Sequence, residues 1–62
     1  MEIDILLDNE IMINDKVGYY IIRKEGKGYG VYQKYDSDSN LYYHTAFSDM
    51  IDALKYVKAR LK

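Results

Sequence analysis

The 62-residue sequence has no cysteine, no proline and no tryptophan, and it holds four glycines, one phenylalanine and one histidine. Without cysteine there is neither a disulfide staple nor a thiolate zinc site, and the composition suits a reducing compartment. With no proline and so few glycines, the chain is neither collagen-like nor a low-complexity linker. Its content of 48% hydrophobic and 31% charged residues is that of a globular domain. Long apolar runs are missing as well: Tyr19-Tyr20-Ile21-Ile22 is far short of the roughly 20 residues needed to cross a bilayer. The first residues, Met1-Glu2-Ile3-Asp4, lack the basic and apolar segments of a secretory signal. The expectation is a cytoplasmic protein with no membrane partner.

What is abundant is tyrosine. Eight are present, seven of them between Tyr19 and Tyr43. A tyrosine ring fills a core as well as a leucine does, and its hydroxyl needs a polar partner or water, so tyrosine also suits interfaces and base stacking. A chain of this length is one domain, close to the lower size limit at which a hydrophobic core sustains itself.

Charge is unevenly spread. Glu2, Asp4, Asp8, Glu10 and Asp15 make the first 15 residues acidic, with no basic side chain among them. Lys16, Arg23, Lys24, Lys27 and Lys34 outnumber Glu25 and Asp36 in the next segment, and the whole chain has a net charge of -1. Nucleic-acid binders draw most non-specific affinity from counterion release, so near-neutrality makes that function the weaker reading. The acidic start is read as keeping an edge strand soluble and pairing with the basic hairpin.

The apolar pattern has period two up to about residue 45. Ile3, Ile5 and Leu7 alternate, a turn follows at Asp8-Asn9-Glu10, and Ile11-Met12-Ile13 continues. After a break at Asn14-Asp15-Lys16, residues 19–24 form a strand closed by Glu25-Gly26-Lys27-Gly28, where glycine supplies the positive φ of a tight hairpin. Residues 29–35 return, residues 36–40 form a polar loop, and residues 41–45 make the next strand. From Ala46 the period becomes helical, with Phe47, Met50, Ile51, Leu54, Val57 and Leu61 forming one stripe. Thr45 or Ser48 is the expected cap. These elements predict an α+β fold: a three-stranded antiparallel β-meander, preceded by a short N-terminal strand or hairpin, with the C-terminal amphipathic helix packed on one sheet face.

Alternation along the strands divides the tyrosines. Tyr20 and Ile22, then Tyr29, Val31 and Tyr35, then Leu41, Tyr43 and Thr45 are assigned to the helix-packed core. The opposite rows place Tyr19, Ile21, Arg23, Tyr32, Lys34, Tyr42 and His44 on the open face; a one-residue bulge would exchange the rows of a strand, and the adjacent Ile21 and Ile22 leave either face open to that strand. Rings flanked by cations suit a protein interface, where rigid aromatic side chains and arginine dominate the energetic centre. They also suit single-strand nucleic-acid binding, and plain cross-strand tyrosine pairing is the structural alternative.

Other motifs fail on context. Asp36-Ser37-Asp38-Ser39-Asn40 starts like a calcium loop, but Leu41 and Phe47 stand where glycine and the bidentate glutamate are required. Gly26, Gly28 and Gly30 join two strands, whereas a phosphate-binding glycine loop opens a helix. His44 has no nucleophile and orienting group at a spacing that forms a catalytic set. The expectation is a non-catalytic protein with no cofactor and no metal.

The runs G-Y-Y-I-I-R-K-E-G-K-G-Y-G-V-Y-Q-K-Y-D and L-Y-Y-H-T-A-F-S-D-M-I-D-A-L-K-Y-V resemble small phage and prophage accessory proteins of low-GC bacteria, over residues 11–61. Members of that pool include inhibitors of host defence, among them anti-CRISPR proteins. The resemblance implies a protein-binding module that inhibits a host defence complex by steric occlusion. Gly18-Tyr19-Tyr20 and the helix entry at residues 47–53 also resemble the arm-binding domain of phage tyrosine recombinases, which implies nucleic-acid binding as the alternative. A homodimer through the N-terminal edge strand is a further expectation.

Overall fold

The computed structural model describes residues 3–7 and 10–61, with side chains described from Glu10 onward. Five strands, β1 (Ile3–Leu7), β2 (Glu10–Asp15), β3 (Gly18–Glu25), β4 (Gly28–Tyr35) and β5 (Leu41–Phe47), precede one helix, α1 (Met50–Arg60). The strands pair antiparallel in chain order, β1-β2-β3-β4-β5, as a continuous meander. The α+β class is therefore as expected, and the N-terminal hairpin extends the meander because β2 pairs with β3 along its whole length, from Glu10↔Arg23 to Asp15↔Gly18. The predicted turn at Asp8 and Asn9 lies outside the described residues.

Turn chemistry fixes the register. Gly26 has φ +58° and Lys27 does not have positive φ, which is the backbone of a two-residue type II′ hairpin between Glu25 and Gly28. Gly18, with φ +153°, is required for a second reason: a Cβ there would overlap the Lys34 carbonyl oxygen and lie 2.9 Å from Tyr35 Cα. The Asp36 amide also donates to the Val17 carbonyl across this corner at 2.8 Å. In the loop at residues 36–40, the Asp38 carboxylate accepts from the Asn40 amide at 2.8 Å and from the Tyr42 hydroxyl. The acidic loop is thus closed on itself by an Asx-type turn.

The helix starts later than its apolar period suggests. Ala46 and Phe47 remain in β5, and Asp49 is the N-cap, its side chain accepting from the Ile51 amide at 3.0 Å. This corrects the expected cap at Thr45 or Ser48. Lys58 and Arg60 in the last turn complement the helix dipole. Ala53 and Val57 are fully buried, with Met50, Leu54, Tyr56 and Leu61 packed around them. The buried stripe is rotated from the predicted one, and Ile51 is left 59% exposed.

The core lies between α1 and one sheet face, hereafter the helix face. Ile13, Tyr20, Ile22 and Val31 are buried there, flanked by Ile11, Tyr29 and Phe47. The alternation expected for β3 and for Tyr29 and Val31 holds. Tyr35 follows the same parity but is exposed, at the end of β4.

Candidate functional site: the open sheet face

The face opposite α1 is built by the register. Met12 pairs with Ile21, Ile21 with Tyr32, and Tyr32 with Tyr43, so these four share one side of the sheet. The same parity places Glu10, Tyr19, Arg23, Glu25, Lys34 and Leu41 there. No described helix or strand covers this face, yet Ile21 at its centre is only 8% exposed. The long side chains around it therefore form a layer of their own.

Polar contacts fix that layer. Arg23 Nε donates to Glu10 Oε2 at 2.9 Å, and the guanidinium lies 5.1 Å from the Tyr32 ring centroid. The Tyr32 hydroxyl donates to Glu25 Oε2 at 2.5 Å, and its ring meets that of Tyr43 edge-on at 5.5 Å. This hydrogen bond to a carboxylate, followed by burial and the nearby Glu25 charge, raises the Tyr32 pKa. Lys34 Nζ stands 5.7 Å from the Tyr19 ring and donates to the Tyr35 carbonyl at 3.3 Å. Gly30 makes room for this arrangement, because a Cβ there would run into the Glu25 carboxylate and lie 3.1 Å from the Tyr32 ring.

Of the six expected site residues, Tyr19, Arg23, Tyr32 and Lys34 do share the open face. Tyr42 and His44 do not. The β4–β5 pairing runs Tyr29↔Phe47, Gly30↔Ala46 and Val31↔Thr45, then jumps to Tyr32↔Tyr43. His44 is the extra residue of a β-bulge, and everything N-terminal to it in β5 changes sides. Leu41 and Tyr43, expected in the core, thereby reach the open face, with Tyr43 60% exposed. Tyr42 turns to the helix side of the sheet, where its ring packs edge-on against Tyr35 at 6.0 Å and its hydroxyl is held by Asp38. That hydrogen bond is the main cause of the raised pKa of Tyr42 and the lowered pKa of Asp38.

His44 lies under the helix. Its Nε2 meets Gln33 Oε1 at 2.8 Å and its Nδ1 meets the Tyr56 hydroxyl at 3.0 Å. Gln33 Oε1 only accepts, so Nε2 carries the proton, and in the neutral ring Nδ1 accepts from the Tyr56 hydroxyl. The Tyr35 hydroxyl also donates to Gln33 Oε1, at 3.2 Å. Desolvation lowers the His44 pKa, with a further contribution from the Arg60 charge. His44 therefore joins sheet to helix and is removed from the surface set.

No residues among those described form a group able to hold a metal ion, and no described helix is long and apolar enough to cross a membrane. Comparison with protein-family models, with curated proteins and with solved structures finds no match.

The described charges of the open face balance, Glu10 and Glu25 against Arg23 and Lys34. Arg23 is engaged by a carboxylate of the same chain, so it is not an isolated phosphate-seeking cation. What the face offers outward is the exposed Tyr43 and Leu41 beside the half-buried Tyr19 and Tyr32, mounted on hydrogen-bonded strands. The arrangement can bury apolar and aromatic area against another macromolecule with little side-chain entropy left to lose.

Proposed function

We propose that this chain is a non-catalytic protein-binding module that docks its open sheet face on a partner protein. The observation that carries this reading is the layer around Ile21: an exposed tyrosine, Tyr43, supported by a second, Tyr32, whose hydroxyl and ring are held by Glu25 and Arg23. Rigid aromatic anchors beside a paired arginine are the composition of an interface centre. The resemblance to phage accessory proteins gives the partner class, a host defence complex, and steric occlusion is the mode of action. Binding then needs no chemistry from the chain, only a surface broad enough to block a site.

Internal charge balance favours a protein over a nucleic acid, since few counterions would be released from phosphates. The test uses the full chain as bait against extract of its native host, beside Tyr43→Ala, Arg23→Ala and a Lys55→Ala control on the exposed helix surface. A protein captured by the wild type and the control, and lost at least tenfold with Tyr43→Ala and Arg23→Ala, supports the reading. Equal capture by all four refutes it. Salt-sensitive binding of single-stranded or duplex oligonucleotides would replace it with the nucleic-acid alternative.

A further inference from the structure

The sheet has two edges, and β5 forms one of them. We propose that the outer edge of β5 pairs antiparallel with the same edge of a second copy of this chain, joining two five-stranded sheets about a twofold axis at Tyr42. The proposal concerns the edge of the sheet; it shares Leu41 and Tyr43 with the open face, and Tyr42, on the other side of the sheet, reports it separately.

No described residue pairs with β5 on its outer side. A strand in that position presents unpaired amides and carbonyls, and proteins normally protect such edges with charge or proline. β5, Leu-Tyr-Tyr-His-Thr-Ala-Phe, has neither proline nor any Asp, Glu, Lys or Arg. Its one protective device is the bulge at His44, which leaves Leu41, Tyr42 and Tyr43 as a regular exposed segment.

Side-chain order identifies the occupant as another copy. A twofold pairing sets each strand against itself, so any charge near the axis would face its like at close range. Leu41, Tyr42 and Tyr43 carry none, and the Asp38 carboxylate beside them is held by the Tyr42 hydroxyl of its own copy. With Tyr42 at the axis, Leu41 of each copy faces Tyr43 of the other on the open face, an aliphatic–aromatic pair made twice. The two Tyr42 residues meet on the opposite side. All three are exposed in the single chain, and burying them supplies the apolar area an edge contact needs. The net charge of -1 adds little long-range repulsion between copies. The other edge, β1, has Asp4 within its five residues and is the poorer candidate for self-pairing.

Two measurements test this. Sedimentation equilibrium of the full chain should show a monomer–dimer equilibrium whose dissociation constant rises at least tenfold in Leu41→Lys and in Tyr43→Lys. Because the natural chain lacks cysteine, single-cysteine variants report the axis directly. Paired strands bring opposing Cα atoms to about 4.5–5.5 Å, within disulfide reach. Tyr42→Cys should form a disulfide dimer under mild oxidation, while Tyr19→Cys on the open face and Asp4→Cys on β1 should not. A monomer at every concentration up to about 1 mM, a range weaker than most specific contacts, overturns the proposal. So does cross-linking at position 19 or 4 in place of 42.

Discussion

Replacing His44 by phenylalanine tests whether a polar lock holds the helix to the sheet. Phenylalanine keeps a ring where His44 packs edge-on against Tyr20 at 5.7 Å and Tyr56 at 5.9 Å, but it removes both hydrogen bonds. Each is expected to contribute about 1 kcal/mol net. Gln33, 5% exposed, is left with only the Tyr35 hydroxyl on its carbonyl oxygen, and an undersupplied buried acceptor adds to the loss. The expected destabilisation is about 2 kcal/mol, which for a domain of this size lowers Tm by about 8–16 °C. Thermal and urea unfolding, followed by circular dichroism at pH 8, measures it.

The pH dependence of the same variant separates hydrogen bonding from packing. Unfolded, His44 takes up a proton near its ordinary pKa of 6.5; folded, desolvation and then the Arg60 charge lower that value. The guanidinium of Arg60 lies 5.5 Å from the Tyr56 ring centroid, and its hydrogen bond with Tyr20 helps keep it charged. Tyr20 and Gln33 from the sheet and Tyr56 from the helix surround the ring with no carboxylate to favour the imidazolium. Protons therefore bind the unfolded chain more tightly. The contribution is fully present above pH 6.5 and is lost as pH falls through the window between that value and the lower folded pKa. The stability difference between wild type and His44→Phe should thus be larger at pH 8 than at pH 5. A difference below about 0.5 kcal/mol at pH 8, the range of ordinary surface substitutions, or one that does not change between pH 8 and pH 5, refutes the lock.

Gly18→Ala should abolish folding or cost at least about 3 kcal/mol, because β3 and β4 would have to separate at the Lys34 carbonyl; a native spectrum and unchanged Tm would contradict this. Asp49→Ala should cost about 1 kcal/mol by removing the N-cap, whereas Ser48→Ala should be neutral, and the pair of urea midpoints decides between them. Val57→Ala should cost about 2 kcal/mol and Ile51→Ser less than about 0.5, a contrast in Tm that fixes which helical stripe faces the sheet.

Much of this architecture is legible in the residues. Glycine at 26 predicts the β3–β4 hairpin, and the alternation of Tyr20, Ile22, Tyr29 and Val31 identifies the buried face. The helix start is less legible, because Phe47 packs on Tyr56 from a strand while satisfying a helical spacing in the sequence. Ile51 misleads in a similar way: it fits the apolar period, but Ala53, a small residue, is fully buried with Val57 and Ile51 is left outward. A stripe of large residues marks the apolar side of a helix less accurately than the small residue that permits close approach.

The bulge at His44 is the feature that alternation along one strand cannot reveal, since it is a property of the β4–β5 pair. Without it, reading back from Phe47 places Thr45, Tyr43 and Leu41 on the helix face and sends His44 to the surface. Tyr43 would then compete with Tyr20 and Tyr56 for a core that Val31 and Val57 already fill, and Gln33 would be buried without an imidazole partner. One inserted residue removes both conflicts. It gives Gln33 the Nε2 proton and Tyr56 the Nδ1 acceptor, and it delivers Tyr43 to the ring of Tyr32 on the other face. The lock on the helix and the exposed aromatic anchor are therefore two consequences of a single register shift. A polar residue with both ring nitrogens matched to partners inside, beside a tyrosine with none of its ring needed inside, is what makes that shift the stable arrangement of this strand.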